Sequence, residues 1–390
     1  MNANTLEQDA VILPPAMLGM LGGGQLGRFF VIAAHEMGYK VTVLDPDRNS
    51  PAGKIADAHI CAAFDDQAAL LKLANTCAAI TTEFENVPAE TLAILAESVP
   101  VRPSAAAVSV CQDRIAEKTF LKVHGLPHGP FVEIASLEDL RNAPSYIFPG
   151  ILKAARLGYD GKGQAVVDDR AAAENAWVSL GSVRCILEAK LPLDYEISVV
   201  LARGQDGAVR AFPSAENRHR NGILDVSIVP AWGSVCLADT ACEVAEKLAG
   251  CLNYVGTLGV EFFVSRGQLV VNEMAPRPHN SGHYTLDACG TNQFQQQVRA
   301  LCGLPLGDAH AHSSAVMINL LGDLWFENNQ EREPDWNTLL AIPGLCLHLY
   351  GKQSPRIGRK MGHFTIIGAD SKQVYEHALK ARTILGMTDA

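Results

Sequence analysis

The chain has 390 residues, 48% hydrophobic and 19% charged, which predicts about two to four domains of a soluble globular enzyme rather than a fibrous or disordered chain. Its formal net charge of -10 excludes a global basic field for nucleic acid or an anionic membrane, so any phosphate must be held by local cations and backbone amides. The opening "MNANTLEQDA" has no basic flank before an apolar run, no segment offers about 18 uncharged apolar residues, and the ten cysteines form no CxxC pair, which together predict a cytoplasmic protein with reduced thiols, neither secreted nor membrane-spanning.

In chain order the first elements alternate in the α/β manner. A strand "AMLGML" from Ala16 leads through a glycine turn to a helix "GRFFVIAAHEMG", then to strands "YKVTVLD", "AAITTEF" and "VPVRPS". Residues 1–110 therefore read as an open parallel sheet. Residues 111–305 supply a helix "DRIAEKTFLKVHG", a strand "GILKA", the glycine-rich "RLGYDGKGQ", and strands "RCILEA" and "YEISVVLAR". Residues 306–390 form a shorter region ending in "HLYGKQSPRIGRKMGHFTII", basic residues beside a strand.

The first chemical signal is "GGGQLG". Gly22, Gly24 and Gly27 fit G-x-G-x-x-G between a strand and a helix, and Asp45 ends the next strand, where a dinucleotide-binding fold places its ribose acid. An NAD-dependent oxidoreductase is one reading; the same glycines suit any anion at a helix N-terminus, or a tight turn with no ligand. The second signal is Lys153 on a strand followed by "GYDGKGQ", a lysine for phosphates and a loop whose amides can close over them. A half-exposed lysine beside a hairpin turn is the plainer alternative.

The third signal is a pair of acids. "GVEFFVSRGQLVVNE" reads as two strands around Gly267, and a three-residue loop, Arg266 to Gln268, sets Glu261 opposite Glu273. Facing carboxylates repel unless a cation lies between them, and hard oxygens suit Mg²⁺. Solvated glutamates on a hairpin are the alternative. With Lys153 and the glycine loop upstream, these acids predict an ATP·Mg²⁺ site. The following "MAPRPHNSGHYT" is too rich in proline and glycine for a helix and too polar for core, so its side chains predict substrate hydrogen bonding. His279 and His283 have the i, i+4 spacing of a zinc pair, but on a loop and with no further ligand in view. Lys352, Arg356, Arg359 and Lys360 form a basic cluster in an acidic chain, either a solvated turn or a phosphate pocket.

These motifs in this order, with "EFEN", "ILEAKLPLDYEISV" and "NRHRNGIL" among them, resemble the 5-(carboxyamino)imidazole ribonucleotide synthetase family of ATP-grasp carboxylases, from about Ala16 to Thr365. Formate-dependent glycinamide ribonucleotide transformylase is the nearest look-alike. The resemblance implies an α/β ATP-grasp fold with a Rossmann-like pre-ATP-grasp domain, a small C-terminal domain, a mobile lid near residues 120–190, and a homodimer. It implies carboxylation of 5-aminoimidazole ribonucleotide by bicarbonate and ATP, through carboxyphosphate, in purine biosynthesis. Arg114, Lys153 and Tyr159, Asp160, Gly161, Lys162, Gly163 and Gln164 would hold phosphates; Glu188, Ala189, Lys190 and Leu191 would line the adenine pocket. Glu196 would take the ribose, with His219 and Asn272 in the nucleotide set, and Glu261 and Glu273 would bind Mg²⁺. Arg277 would stabilise charge on the transferring group. Gln25, Glu83, His279, Asn280, Ser281 and His283 would face the acceptor, and Lys352, Arg359 and Lys360 its phosphate. In one departure, Thr82 stands where members often carry an aromatic residue, which puts stacking on the imidazole from that position in doubt.

Overall fold

The computed structural model describes residues 11–156, 163–327 and 330–387. Four parallel strands open the chain: β1 (Met17–Leu21), β2 (Lys40–Leu44), β3 (Ala58–Ile60) and β4 (Ala79–Thr82), in the order β3-β2-β1-β4. Their near-continuous apolar runs are buried on both faces, as parallel strands require. One face packs Phe30 and Val31 of the helix Gln25–Glu36 against Phe294 and Val298 of the helix Gln293–Cys302, and the other packs Leu70, Leu73 and Leu92. "VPVRPS" does not continue this sheet as a strand. Only Val101 bridges to Ile80, because Pro100 and Pro103 on either side have no N–H to donate.

A four-stranded antiparallel sheet follows, in the order β5-β8-β6-β7: β5 (Phe131–Ile134), β6 (Gly150–Ala154), β7 (Gln164–Val167) and β8 (Cys185–Ala189). The third sheet is the largest. It takes β9 (Tyr195–Arg203), β10 (Val209–Ala211), β11 (Ala215–Arg220), β12 (Ile223–Val229), β13 (Gly256–Ser265), β14 (Gln268–Ala275) and β15 (Ser314–Leu321). After the small pair β16 (Phe326–Glu327) and β17 (Gln330–Glu331), it adds β18 (Leu345–Leu349) and β19 (Lys360–Gly368). The order is β14-β13-β9-β11-β12-β15-β19-β18, with β10 on β9. Because β12 pairs with β15, the basic segment near residues 352–360 is carried on the same sheet as the paired acids. The helix Val235–Cys251 covers β9 and β13, burying Ala241, Ala245 and Leu248 against Val199, Leu201 and Leu258.

The acids do face each other, though not for the predicted reason. The β13–β14 turn has two residues, Arg266 and Gly267, both at positive φ, so Ser265 pairs with Gln268. That register alone would set Glu261 opposite Asn272. A bulge beyond the Phe262–Val271 pair shifts it, and Glu261 meets Glu273. Among the described residues no helix is long and apolar enough to cross a membrane.

Candidate active site

A cavity of about 1110 Å³ opens between the parallel sheet, the β5–β8 sheet and the large sheet. The helix Arg114–Val123 runs along it, its first turn fixed by the Asp113 carboxylate, which accepts from the amides of Ile115 and Ala116. This cap puts Arg114, Glu117 and Lys118 on the cavity wall.

At one end, Lys153 on β6 reaches Glu188 on β8 at 2.9 Å, with Lys118 Nζ 3.5 Å away on the other side. The strand register makes the first two diagonal neighbours, since Ile151 lies opposite Glu188. Burial alone would raise the Glu188 carboxyl; Lys118 and Lys153 outweigh it and bring it down to about 2. Gln164, opposite Lys153, also lines the cavity. Ala189, Lys190 and Leu191 follow Glu188 in sequence but lie outside the cavity wall, and Tyr159, Asp160, Gly161 and Lys162 fall outside the described residues. Gly163 is at positive φ, its carbonyl accepting from Ala154 N. Glu196 on β9 meets His219 on β11 at 2.7 Å. Burial disfavours the charged imidazole, but Glu196 and Glu261 raise its pKa above the usual value.

The facing acids occupy the middle. Burial and the nearby Glu273 push Glu261 up to about 7. Glu273 is raised too, by burial and Glu85, against the pull of Arg114, Lys153 and Arg277. Asn272 Nδ2 donates to Glu261 at 3.3 Å, and His279 Nε2 lies 3.5 Å from the other Glu261 oxygen. That imidazole offers little positive charge, since burial and the nearby Arg277 and Lys360 hold its pKa well below the usual value. Two partly buried carboxylates with raised pKa values and an amide oxygen beside them form a hard-oxygen set that fits Mg²⁺.

The other end brings together the glycine turn and the basic cluster. Gln25, Lys352, Arg356, Arg359 and Lys360 line the cavity with Arg277, His279 and Asn280. Arg359 donates to the carbonyls of Gln353 and Ser354, and Lys352 Nζ to that of Lys360, which shapes the segment around them. Arg277 is ion-paired with Glu85, the second acid of "EFEN", which sequence reasoning passed over although the motif contains it. Asn280 lines the cavity with neither side-chain polar atom bonded.

Three predicted acceptor contacts have other tasks. Both Glu83 oxygens accept backbone amides, from Gly24 and from Gly27 at 2.8 Å, so this buried carboxylate caps the helix Gln25–Glu36 while also lining the cavity. Ser281 is buried behind the wall, bonded to Ser198 Oγ at 2.7 Å and to His279 Nδ1. His283 is fully buried and packed on His363, with ring centroids 4.7 Å apart. Gln293 organises this loop: its side chain accepts from His279 N, donates to His279 O and meets His283 Nδ1. Thr82 is buried and donates to Leu21 and Phe84 carbonyls, while Phe84, which the sequence reading passed over, is among the residues lining the cavity.

The glycine turn thereby loses its dinucleotide reading. Gly23 N donates to Asp45 at 2.7 Å, and the amides of Gly24 and Gly27 go to Glu83. A Cβ on Gly24 would stand 2.7 Å from a Glu83 oxygen, and Gly22, at φ +99°, would meet Glu83 at 2.8 Å. The glycines admit an internal carboxylate where a Rossmann site would admit pyrophosphate.

Comparison with known families matches three successive segments of the chain, the last two of which share the large sheet. The ribonucleotide synthetase preATP-grasp domain matches residues 16–112, the ATP-grasp domain 119–294, and the phosphoribosylaminoimidazole carboxylase C-terminal domain 315–377. Fold and site thus define an ATP-grasp ligase, ATP being its nucleotide substrate. The chain is 45% identical to N5-carboxyaminoimidazole ribonucleotide synthase of Brucella melitensis, over 91% of this chain and 97% of that one. It is similar to an N5-carboxyaminoimidazole ribonucleotide synthetase solved with ADP, at TM-score 0.90 and 40% identity over 97% and 98% of the two chains. An Aspergillus clavatus enzyme solved with ADP and 5-aminoimidazole ribonucleotide gives TM-score 0.86 and 28% identity over 97% and 99%. The chain belongs to the N5-carboxyaminoimidazole ribonucleotide synthase family.

Proposed function

We propose how the cavity residues divide the family's reaction, the ATP-dependent carboxylation of 5-aminoimidazole ribonucleotide in purine biosynthesis. The observation that carries the division is that one cavity holds the Lys153–Glu188 pair, the facing acids and the basic cluster together. Arg114, Lys153 and Gln164 hold the triphosphate, with the β5–β8 sheet as its cover, and Glu196 with His219 takes the ribose end. Glu261 and Glu273, with Asn272 beside them, would hold Mg²⁺, which would neutralise charge on the phosphates.

A bicarbonate oxygen attacks the γ-phosphorus and ADP leaves, giving carboxyphosphate. The exocyclic amine then bonds to the carboxyl carbon, directly or after CO₂ release, while phosphate departs and the amine loses a proton. Arg277 lines the same cavity as the acids, and its guanidinium stabilises charge on the transferring group. Its pairing with Glu85 holds that guanidinium in place. Asn280 and neutral His279 meet the aminoimidazole, Gln25 approaches from the glycine turn, and Lys352, Arg359 and Lys360 take the ribotide phosphate. The working unit is a cytoplasmic homodimer, as the family resemblance implies.

The test is ADP release with 5-aminoimidazole ribonucleotide and bicarbonate, against glycinamide ribonucleotide and formate. Turnover only with the first pair is expected; turnover with the second would overturn the assignment.

A further inference from the structure

Strict alternation along β14 would send Asn272 to the cavity, Glu273 to the core and Met274 to the cavity. Instead Asn272 and Glu273 both line the cavity, while Val271 and Met274 both pack in the core beneath the sheet. The bulge does this, and because β14 is the edge strand of its sheet, its main-chain groups that point away from β13 need other partners when buried. Two buried side chains of the helix Arg114–Val123 supply them. Lys118 Nζ donates to the carbonyls of Val271 at 3.0 Å and Asn272 at 2.7 Å, and Glu117 accepts from the amide of Met274. Both side chains are about 2% exposed.

We infer that Glu117 and Lys118 are positioning residues for the metal-binding acids, clasping β14 on either side of Glu273 so that its carboxylate faces Glu261. The inference rests on the reading of Glu261 and Glu273 as the Mg²⁺ ligands. Lys118 also lies 3.5 Å from Glu188, so the same ammonium ties the bulge to the partner of Lys153 at the nucleotide end. Glu117 meets the Met274 amide through a single carboxyl oxygen. A glutamine there keeps both the shape and an acceptor oxygen.

The experiment is calorimetric titration of Mg²⁺ into the ADP-saturated enzyme for wild type, Lys118→Met, Glu117→Met, Glu117→Gln and Glu273→Gln, with the Michaelis constant for 5-aminoimidazole ribonucleotide measured alongside. Lys118→Met and Glu117→Met should each weaken Mg²⁺ binding about tenfold or more, as loss of groups that orient metal ligands commonly does. Glu117→Gln should recover most of that loss, and the ribonucleotide constant should stay within about twofold of wild type, because the altered contacts lie on the metal side. Folded Lys118→Met and Glu117→Met proteins that bind Mg²⁺ as wild type does, while Glu273→Gln does not, would overturn the clasp alone. Unchanged Mg²⁺ binding in Glu273→Gln would instead remove the metal reading beneath it. If neither methionine variant folds, the pair serves the fold and the inference is overturned as well.

Discussion

The glycine turn and the facing acids are both dense in carboxylates, and burial raises Glu83 as it raises Glu261 and Glu273, yet their partners differ. At the turn, Glu83 and Asp45 meet three backbone amides of a helix N-terminus, so each charge has its partner within the chain. At the hairpin, Glu261 and Glu273 meet each other; burial raises both, Glu273 adding to the rise at Glu261 and Glu85 to the rise at Glu273. The difference teaches where a ligand belongs. A motif that looks like an anion site is already filled from within, whereas a motif that looks like two ordinary glutamates leaves a charge conflict that a cation resolves.

The comparison breaks most visibly at Glu273. Glu273→Gln keeps volume while removing one charge from the hard-cation site, and steady-state ADP release should fall by about a hundredfold or more. Near-normal turnover at ordinary Mg²⁺ would mean that the conflict is not resolved by metal.

Arg359→Ala tests the far end of the cavity. Loss of a bidentate phosphate contact of ~2 to 3 kcal/mol should raise the Michaelis constant for 5-aminoimidazole ribonucleotide roughly thirty- to a hundredfold and leave that for ATP nearly unchanged. A parallel rise in both constants would assign the cluster to the nucleotide or to the fold.

The pH dependence of stability sharpens the contrast. Glu261 rises from 4.5 to about 7 in the folded, metal-free protein. The folded state therefore binds the extra proton: the corresponding stability is fully present below the unfolded value of 4.5 and is lost as pH climbs through about 7. Melting curves of metal-free protein should show a loss of about 1 to 3 kcal/mol across that window, which Glu261→Gln flattens. A wild-type curve as flat as the variant's would contradict the conflict between the acids.

The smallest effect belongs to the satisfied site. Glu83→Gln leaves one of two helix amides facing an NH₂ group and should cost about 1 to 2 kcal/mol in denaturant unfolding. The Michaelis constant for ribonucleotide should change little. A large rise in that constant with unaltered stability would return Glu83 to the substrate.

The sequence by itself determined the α/β class, the alternating first domain, the lysine strand, the hairpin acids and the basic cluster, because each is a local pattern of apolar period, glycine or charge. It also ordered them along the chain well enough to carry the family resemblance. Tertiary structure decided everything that depends on which backbone groups lack a partner. Glu83, 56 residues from Gly27, could be assigned to the helix cap only once the parallel sheet set β4 beside β1. Glu273 faces the cavity because of a bulge braced by Glu117 and Lys118, the latter 153 residues from Val271, so neither the turn length nor alternation could have placed it. Ser281 and His283 share a polar loop with His279 and Asn280, but the packing of that loop on Ser198 and Gln293 decides which side chains reach the cavity. Long-range hydrogen bonds fix these choices, and sequence spacing carries no record of them.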